Sequence, residues 1–210
     1  ERGSGRKHLA DWVADPKNPL TARVIVNRVW QHHFGQGLVR SHNDFGTRGQ
    51  PPSHPELLDH LTRRFIDAGW SIKRLHRWIV LSSTYRTASA ENPAAALKDP
   101  DNRWLWSFPR RRLDAEEIRD AMLFASGGLE RRMGGPHPFP PEVTWRYSQH
   151  KPFVEDYPSD LRSVYLMQQR FRLQPYLSTF DGADTNASTG ERRTSTTPQQ
   201  ALFALNSAFV

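Results

Sequence analysis

Between residues 18 and 85 the sequence writes one physical pattern three times: apolar side chains at three- and four-residue spacing, opened by a capping signal and closed by glycine or a polar turn. The first copy opens at Asn18-Pro19, an N-cap followed by proline at the first helical position. Leu20, Val24, Trp30 and Phe34 then fall near helical spacing, Ile25 and Val29 widen the apolar face, and Gly35 and Gly37 stop it. The second opens at Ser53-His54-Pro55-Glu56, which reads as a capping box. It buries Leu57, Leu58, Leu61, Phe65 and Ile66 and ends at Gly69. The third is capped by Ser71 and carries Ile72, Leu75, Ile79 and Ser82, with Trp78, Leu81 and Tyr85 alongside. Helices with such short links pack as antiparallel or crossed neighbours.

Outside this block the punctuation is looser. Residues 6–14 form a further helical pattern with Leu9, Trp12 and Val13 on one face. Residues 87–100 are small, polar and proline-punctuated, a linker or surface loop. Trp104, Trp106 and Phe108 at period two suggest a short extended segment. Residues 114–127 read as a helix started by Asp114 and Glu117, with Ile118, Ala121, Met122 and Ala125 inward. The Gly/Pro run 134–141 must be irregular, residues 161–167 are β-prone, and residues 181–195 form a polar loop. Thr197-Pro198-Gln199-Gln200 starts a last helix. The expected fold is mainly α: a helical core of about five to six helices, a small extended or β element and long Pro/Gly-rich loops. The expectation for organisation is a single domain, 1–210, excised from a longer chain. Within it, lobes 1–86 and 101–210 flank the 87–100 linker.

A chain of 210 residues buries about 70% of its unfolded surface and needs no covalent staples. There is no cysteine, which removes disulfides, thiolate metal sites, cysteine nucleophiles and covalent c-type haem attachment. No apolar run is long enough for a membrane-spanning helix. The net charge of +7 invites a nucleic-acid reading, yet 5 of the 29 basic residues are lysine and the rest arginine. Arginine suits planar, partly buried pairing, so the charge argues weakly for phosphate binding.

The candidates for chemistry cluster around the first inter-helix turn. His32 and His33 end the first helix pattern, and Asp44, Arg48 and His54 lie in or beside the loop that follows. Adjacent histidines on a helix point about 100° apart, and no His-Glu-x-x-His is present, so no metal site is expected. Arg23, Asn27 and Gln31 form a polar stripe on an otherwise apolar helix. They either brace the 44–49 loop or, with it, line a substrate groove. Arg110, Arg111 and Arg112 follow the aromatic segment, and pairing with Asp114, Glu116, Glu117 and Asp120 is favoured over a base-stacking platform. Glu116 and Asp120 lack a second feature of a glycosidase, residues 181–186 fail EF-hand spacing, and no nucleophile-elbow or phosphate-loop context occurs.

These residues resemble a known family. Asn18-Pro19-Leu20-Thr21-Ala22-Arg23-Val24 through Asn27-Arg28-Val29-Trp30-Gln31-His32-His33-Phe34-Gly35 is similar to the signature of the planctomycete-specific domain of unknown function found in cytochrome-c-like proteins. The likeness continues through Asp44-Phe45-Gly46, residues 51–58, Gly69-Trp70-Ser71-Ile72-Lys73, Ser83-Thr84-Tyr85-Arg86, residues 110–113 and residues 118–121. It extends through Met133-Gly134-Gly135, residues 162–166 and Gln200 to Asn206, and so covers nearly the whole chain. A cysteine that often precedes the family's arginine pair is missing before Arg192-Arg193, so no thiol role carries over. The resemblance implies a large, exported, modular parent with haem on upstream cytochrome-c-like modules. It supplies no catalytic residues.

Three readings follow. The first is a non-catalytic accessory module of an extracytoplasmic multidomain protein, with neighbouring domains of the same chain or a surface polysaccharide as partners. The second is a glycan- or small-substrate-acting, hydrolase-like site built from Arg23, Asn27, His32, His33, Asp44, Arg48 and His54. The third is nucleic-acid binding through an arginine-rich surface.

Overall fold

Helix α1 (Arg6–Ala14) forms where its spacing predicts, yet buries none of its side chains: Leu9 is 61% and Trp12 55% exposed. The computed structural model describes residues 3–136, 141–144, 146, 150, 157–170 and 172–210. These divide into two compact units, Glu1–Arg111 and Arg112–Val210. Among the described residues the structure is mainly helical, with no β-strand and a single isolated bridge.

In the first unit, helix α2 (Thr21–Phe34) starts two residues later than Asn18-Pro19 predicts. Asn18 does organise the entry, as an Asx turn. Its Oδ1 accepts the Leu20 amide at 2.9 Å, and its amide group donates to Trp12 O at 3.1 Å. The buried face runs through Ala22, Val26, Trp30 and Phe34 with Asn27 and Gln31 beside it, so the stripe is rotated away from Leu20, which is 42% exposed. Gly35 closes α2 in the left-handed conformation at φ 79°, its amide returning to Gln31 O at 2.7 Å.

Helix α3 (Pro55–Asp67) corrects the expected capping box: His54, and not Ser53, is its N-cap, with no side-chain cap bond. Proline at the first helical position moves the cap one residue on, while the Ser53 amide is occupied by Leu38 O at 2.8 Å. Its end is as expected: the Gly69 and Trp70 amides turn back to Ile66 O and Phe65 O. Helix α4 (Ile72–Val80) is capped by Ser71, whose hydroxyl accepts the Arg74 amide at 3.3 Å. Helices α2, α3 and α4 pack on one another around Ala22, Val26, Trp30, Phe34, Leu58, Leu61, Phe65, Leu75 and Ile79. Each buried large side chain contributes roughly 1.5–3 kcal/mol. Trp30 stacks on Phe34 at 4.2 Å, and Tyr85 and Phe108 each meet Phe34 at 5.8 Å.

The proline-punctuated stretch contains a short helix, α5 (Pro93–Lys98), whose cap Asn92 accepts the Ala95 amide at 3.1 Å. The aromatic segment after it is not extended. Leu105 sits at φ 55° and Asn102 at φ 49°, and the Asp99 carboxylate accepts the Arg103 and Trp104 amides at 2.9 and 2.7 Å. A side-chain acceptor at the head of the turn outcompetes the period-two pattern.

The second unit is organised around helix α6 (Ala115–Ser126), started by the expected Asp114/Glu117 capping box. Its buried face runs through Ala115, Arg119 and Leu123, whereas Ala121 and Ala125, expected inward, are exposed. The shift has a cause: Arg119 Nη1 donates to Leu161 O at 3.0 Å and to Ser163 Oγ at 3.3 Å, and Nη2 to Ser159 O. That guanidinium organises the β-prone segment, which forms a bridge from Leu161 to Glu130 and a 3-10 turn at Ser163–Tyr165 in place of a buried strand. Helix α7 (Pro175–Thr179) brings Tyr176 and Leu177 onto Ala115, with Met122, Phe180 and Phe203 around them. Helix α8 (Pro198–Asn206) carries the Thr197/Gln200 capping box its sequence predicts. Of the Gly/Pro run, residues 137–140 lie outside the described residues.

Arg110 donates to Ser89 O at 3.0 Å, Arg112 to Asp181 and Gln200, and Glu116 takes its bidentate partner from Arg192. Glu116 thus takes a charge partner from 76 positions away in the sequence.

Candidate functional site

The seven candidate residues all lie in the first unit, each with its own surroundings. Asn27 is fully buried. Its Nδ2 donates to Val39 O at 3.0 Å and its Oδ1 accepts the Val39 amide at 2.8 Å. One amide side chain thus satisfies both polar groups of a buried peptide and pins residues 38–39 to α2. Gly37 is needed for that approach: a Cβ there would lie 2.6 Å from Asn27 Nδ2 and 2.7 Å from Val39 O. Asn27 therefore braces the loop at Val39. Arg23 forms an ion pair with Asp59 of α3, both partly exposed.

The 44–49 loop is shaped by its own atoms. Asp44 Oδ1 accepts the Gly46 amide at 2.9 Å, and Ser41 Oγ donates to Asp44 O at 2.6 Å while accepting the Gln50 amide at 2.9 Å. Arg48 and His32 are exposed side chains. His54 Nδ1 meets Ser53 Oγ at 2.9 Å, and its ring sits edge-on to Trp104 at 5.4 Å. Burial, with Arg103 adding to it, pushes the His54 pKa below its usual 6.5.

His33 has the most developed environment. Its Nε2 lies 2.7 Å from Nδ1 of His76 on α4, and the Tyr85 ring stands perpendicular to it at 5.5 Å. Its pKa is pushed below 6.5 first by burial, then by His76, His32 and Arg111. No hydrogen bond or ring contact among the described residues joins one of the seven to another. No group of three or more His, Asp or Glu gathers for a metal ion among the described residues, and the chain has no cysteine.

A scan of the sequence against family models matches residues 5–210 to the family described as PSD1, protein of unknown function (DUF1553). The chain belongs to this family. No curated protein and no solved structure matches it. The DUF1553 domain thus carries a family membership without an assigned reaction.

Sequence reasoning about this DUF1553 domain overlooked two residues. His76 pairs with His33 across 43 positions, and no spacing rule links them. Trp104, whose period-two spacing suggests a short extended segment, lies instead in a turn and is 64% exposed beside His54. The positive-φ turn at Asn102 and Leu105 presents it, and the Asp99 acceptor gave a local signal for that turn.

In the second unit, the Ser163 hydroxyl donates to Asp120 at 2.7 Å and the Ser195 hydroxyl to Asp181 at 2.8 Å. Burial would raise the Asp181 pKa, but the Ser195 amide and hydroxyl, Arg112 and Gln200 outweigh it and hold it below 3.8. So acidic a carboxylic acid is a poor base for activating a hydroxyl. Both contacts anchor loops.

Proposed function

We propose that this DUF1553 domain is a non-catalytic accessory and interaction module of a large, exported, cytochrome-c-like multidomain protein. Its haem would be carried by upstream modules, and its partners would be neighbouring domains of the same chain. The observation that supports this most is the inward use of its distinctive polar side chains. Asn27 clamps Val39, Arg23 pairs with Asp59, and Asp44 caps its own loop. Groups spent on internal bonds have little left with which to polarise a substrate. Apolar surface is meanwhile available on α1, where Leu9, Trp12 and Val13 remain exposed. The extracytoplasmic location rests on the family resemblance. Among the described residues no helix is long and apolar enough to cross a membrane.

The test uses the purified 210-residue domain and the haem-bearing modules of its parent, mixed and followed by NMR shift changes. The reading expects saturable changes at Leu9, Trp12 and Val13, weakened by Trp12→Ser. Glycan hydrolysis by the domain alone, abolished by Arg48→Ala or His54→Ala, would defeat it.

A second reading, a glycan-binding or glycan-acting surface near the 32–54 loop, has one observation in its favour. Trp104, flanked by His54 and Arg103, offers an exposed aromatic face of the kind a sugar ring stacks on. Nucleic-acid binding is the weakest reading, because Arg23, Arg112, Arg119 and Arg192 are all occupied by partners within the fold.

A further inference from the structure

We propose that His33 and His76 form an exchangeable binding site for a divalent transition-metal ion, with Cu2+ held more tightly than Ni2+ or Zn2+. The two rings come from packed helices, α2 and α4, and bring Nε2 of His33 to 2.7 Å from Nδ1 of His76. Two metal–nitrogen bonds of about 2.1 Å meeting at roughly 90–110° separate their nitrogens by about 2.9–3.4 Å. The pair therefore opens by only a few tenths of an ångström to take an ion. His76 is exposed and has room to turn, whereas His33 is held by the perpendicular Tyr85 ring. One ring is a fixed ligand and the other an adjustable one.

The donor set decides which ions bind. Imidazole nitrogen suits copper, nickel and zinc and is a poor ligand for magnesium or calcium, and the general affinity order places Cu2+ first. No third His, Asp or Glu joins the pair among the described residues, so water completes the coordination shell and the ion exchanges with solvent. The Arg111 guanidinium near His33 opposes any cation and keeps the affinity modest. Two neutral rings share one N–H in the metal-free pair. On binding, each carries its proton on the far nitrogen, Nδ1 of His33 and Nε2 of His76, so one tautomer shifts and no net proton is released. The ion links α2 to α4 and stabilises the folded state, since only that state holds the two rings together.

The test is titration of the folded chain with Cu2+, Ni2+, Zn2+ and Mg2+ by calorimetry, with electron paramagnetic resonance of the Cu2+ form. The expected result is one Cu2+ of modest affinity per chain with two nitrogen ligands, the order Cu2+ above Ni2+ and Zn2+, no Mg2+ binding, and a higher Tm with Cu2+. His76→Gln alters an exposed side chain and weakens binding more than about tenfold. His60→Gln, on the exposed side of α3, leaves it unchanged. Retained affinity in His76→Gln, a single-nitrogen spectrum, or saturation with no change in Tm overturns the proposal. His33→Gln, with its fold checked by circular dichroism, is the second variant, and retained affinity there has the same meaning.

Discussion

In the first unit the core is a large interlocked cluster of Leu, Val, Ile, Phe, Ala and Trp, chiefly from α2, α3 and α4, with Asn18, Asn27, Gln31 and Thr62 buried beside it. In the second, the buried apolar cluster is small, Ala115, Tyr176 and Leu177, and the Arg119 guanidinium is buried against Ser163. Arg119 reaches three acceptors on one loop, while Asp181 gathers Arg112, Ser195 and Gln200. An apolar core is non-directional and tolerates modest repacking. A polar centre is directional: it specifies one arrangement, and it fails as a whole when a partner is removed.

That contrast can be broken by its two largest perturbations. Phe65→Ala should destabilise the first unit by about 3–5 kcal/mol through lost transfer energy and a cavity. Arg119→Met should cost the second unit about 3–5 kcal/mol, because it strands the carbonyls of Ser159 and Leu161 despite keeping much of the volume. Hydrogen exchange read by mass spectrometry distinguishes the units, and an Arg119→Met protein with unchanged protection over residues 157–166 would mean the polar centre carries little.

Asn27→Ala tests a directional element inside the first unit. It leaves both polar groups of Val39 unpaired and should cost about 3 kcal/mol, seen as a lower urea midpoint. Arg192→Gln in the second unit removes a partly exposed ion pair to Glu116 and should cost about 1 kcal/mol. A loss there as large as that of Arg119→Met would move the centre of the polar network to the surface.

pH separates the units more gently. His33 and His54 have folded pKa values below their usual 6.5, so the unfolded chain takes up these protons first. The first unit should therefore keep its full stability above pH 6.5 and lose some as pH falls through the folded values. In the second unit Asp181 lies below 3.8, so its contribution persists to lower pH and is lost as pH falls through its folded value. Burial pushes Tyr176, whose hydroxyl donates to Ala115 O at 3.0 Å, up to about 12. Its contribution is full below pH 10 and disappears as pH rises through about 12. Thermal melts across pH, read unit by unit, check all three signs.

What was legible in sequence divides along the same line. Four of the five helices of the first unit, α1 to α4, the Ser71 cap and the capping boxes at Asp114/Glu117 and Thr197/Gln200 are local chemistry, decided within a few residues. The face each helix buries was less legible. Leu20 and Ala121 have the right spacing but are exposed, because the neighbours that choose the face come from elsewhere in the chain. The 161–167 segment is β-prone by composition, yet the Arg119 side chain, 42 residues away, takes the Leu161 carbonyl that a strand would have used. Among the candidate site residues, the polarity of Asn27 within an apolar helix signalled a bonded role, but Val39 as its partner did not follow from spacing.

By itself, the sequence determined that the chain is helical, where most helices begin and end, and that thiol chemistry is closed to it, because these depend on local propensity and on composition. Tertiary structure alone decided which polar groups meet: Asn27 with Val39, Arg192 with Glu116, His33 with His76. A hydrogen bond demands its partner within about 3 Å and in the right direction, and residues dozens of positions apart reach that geometry only after the apolar surfaces have packed.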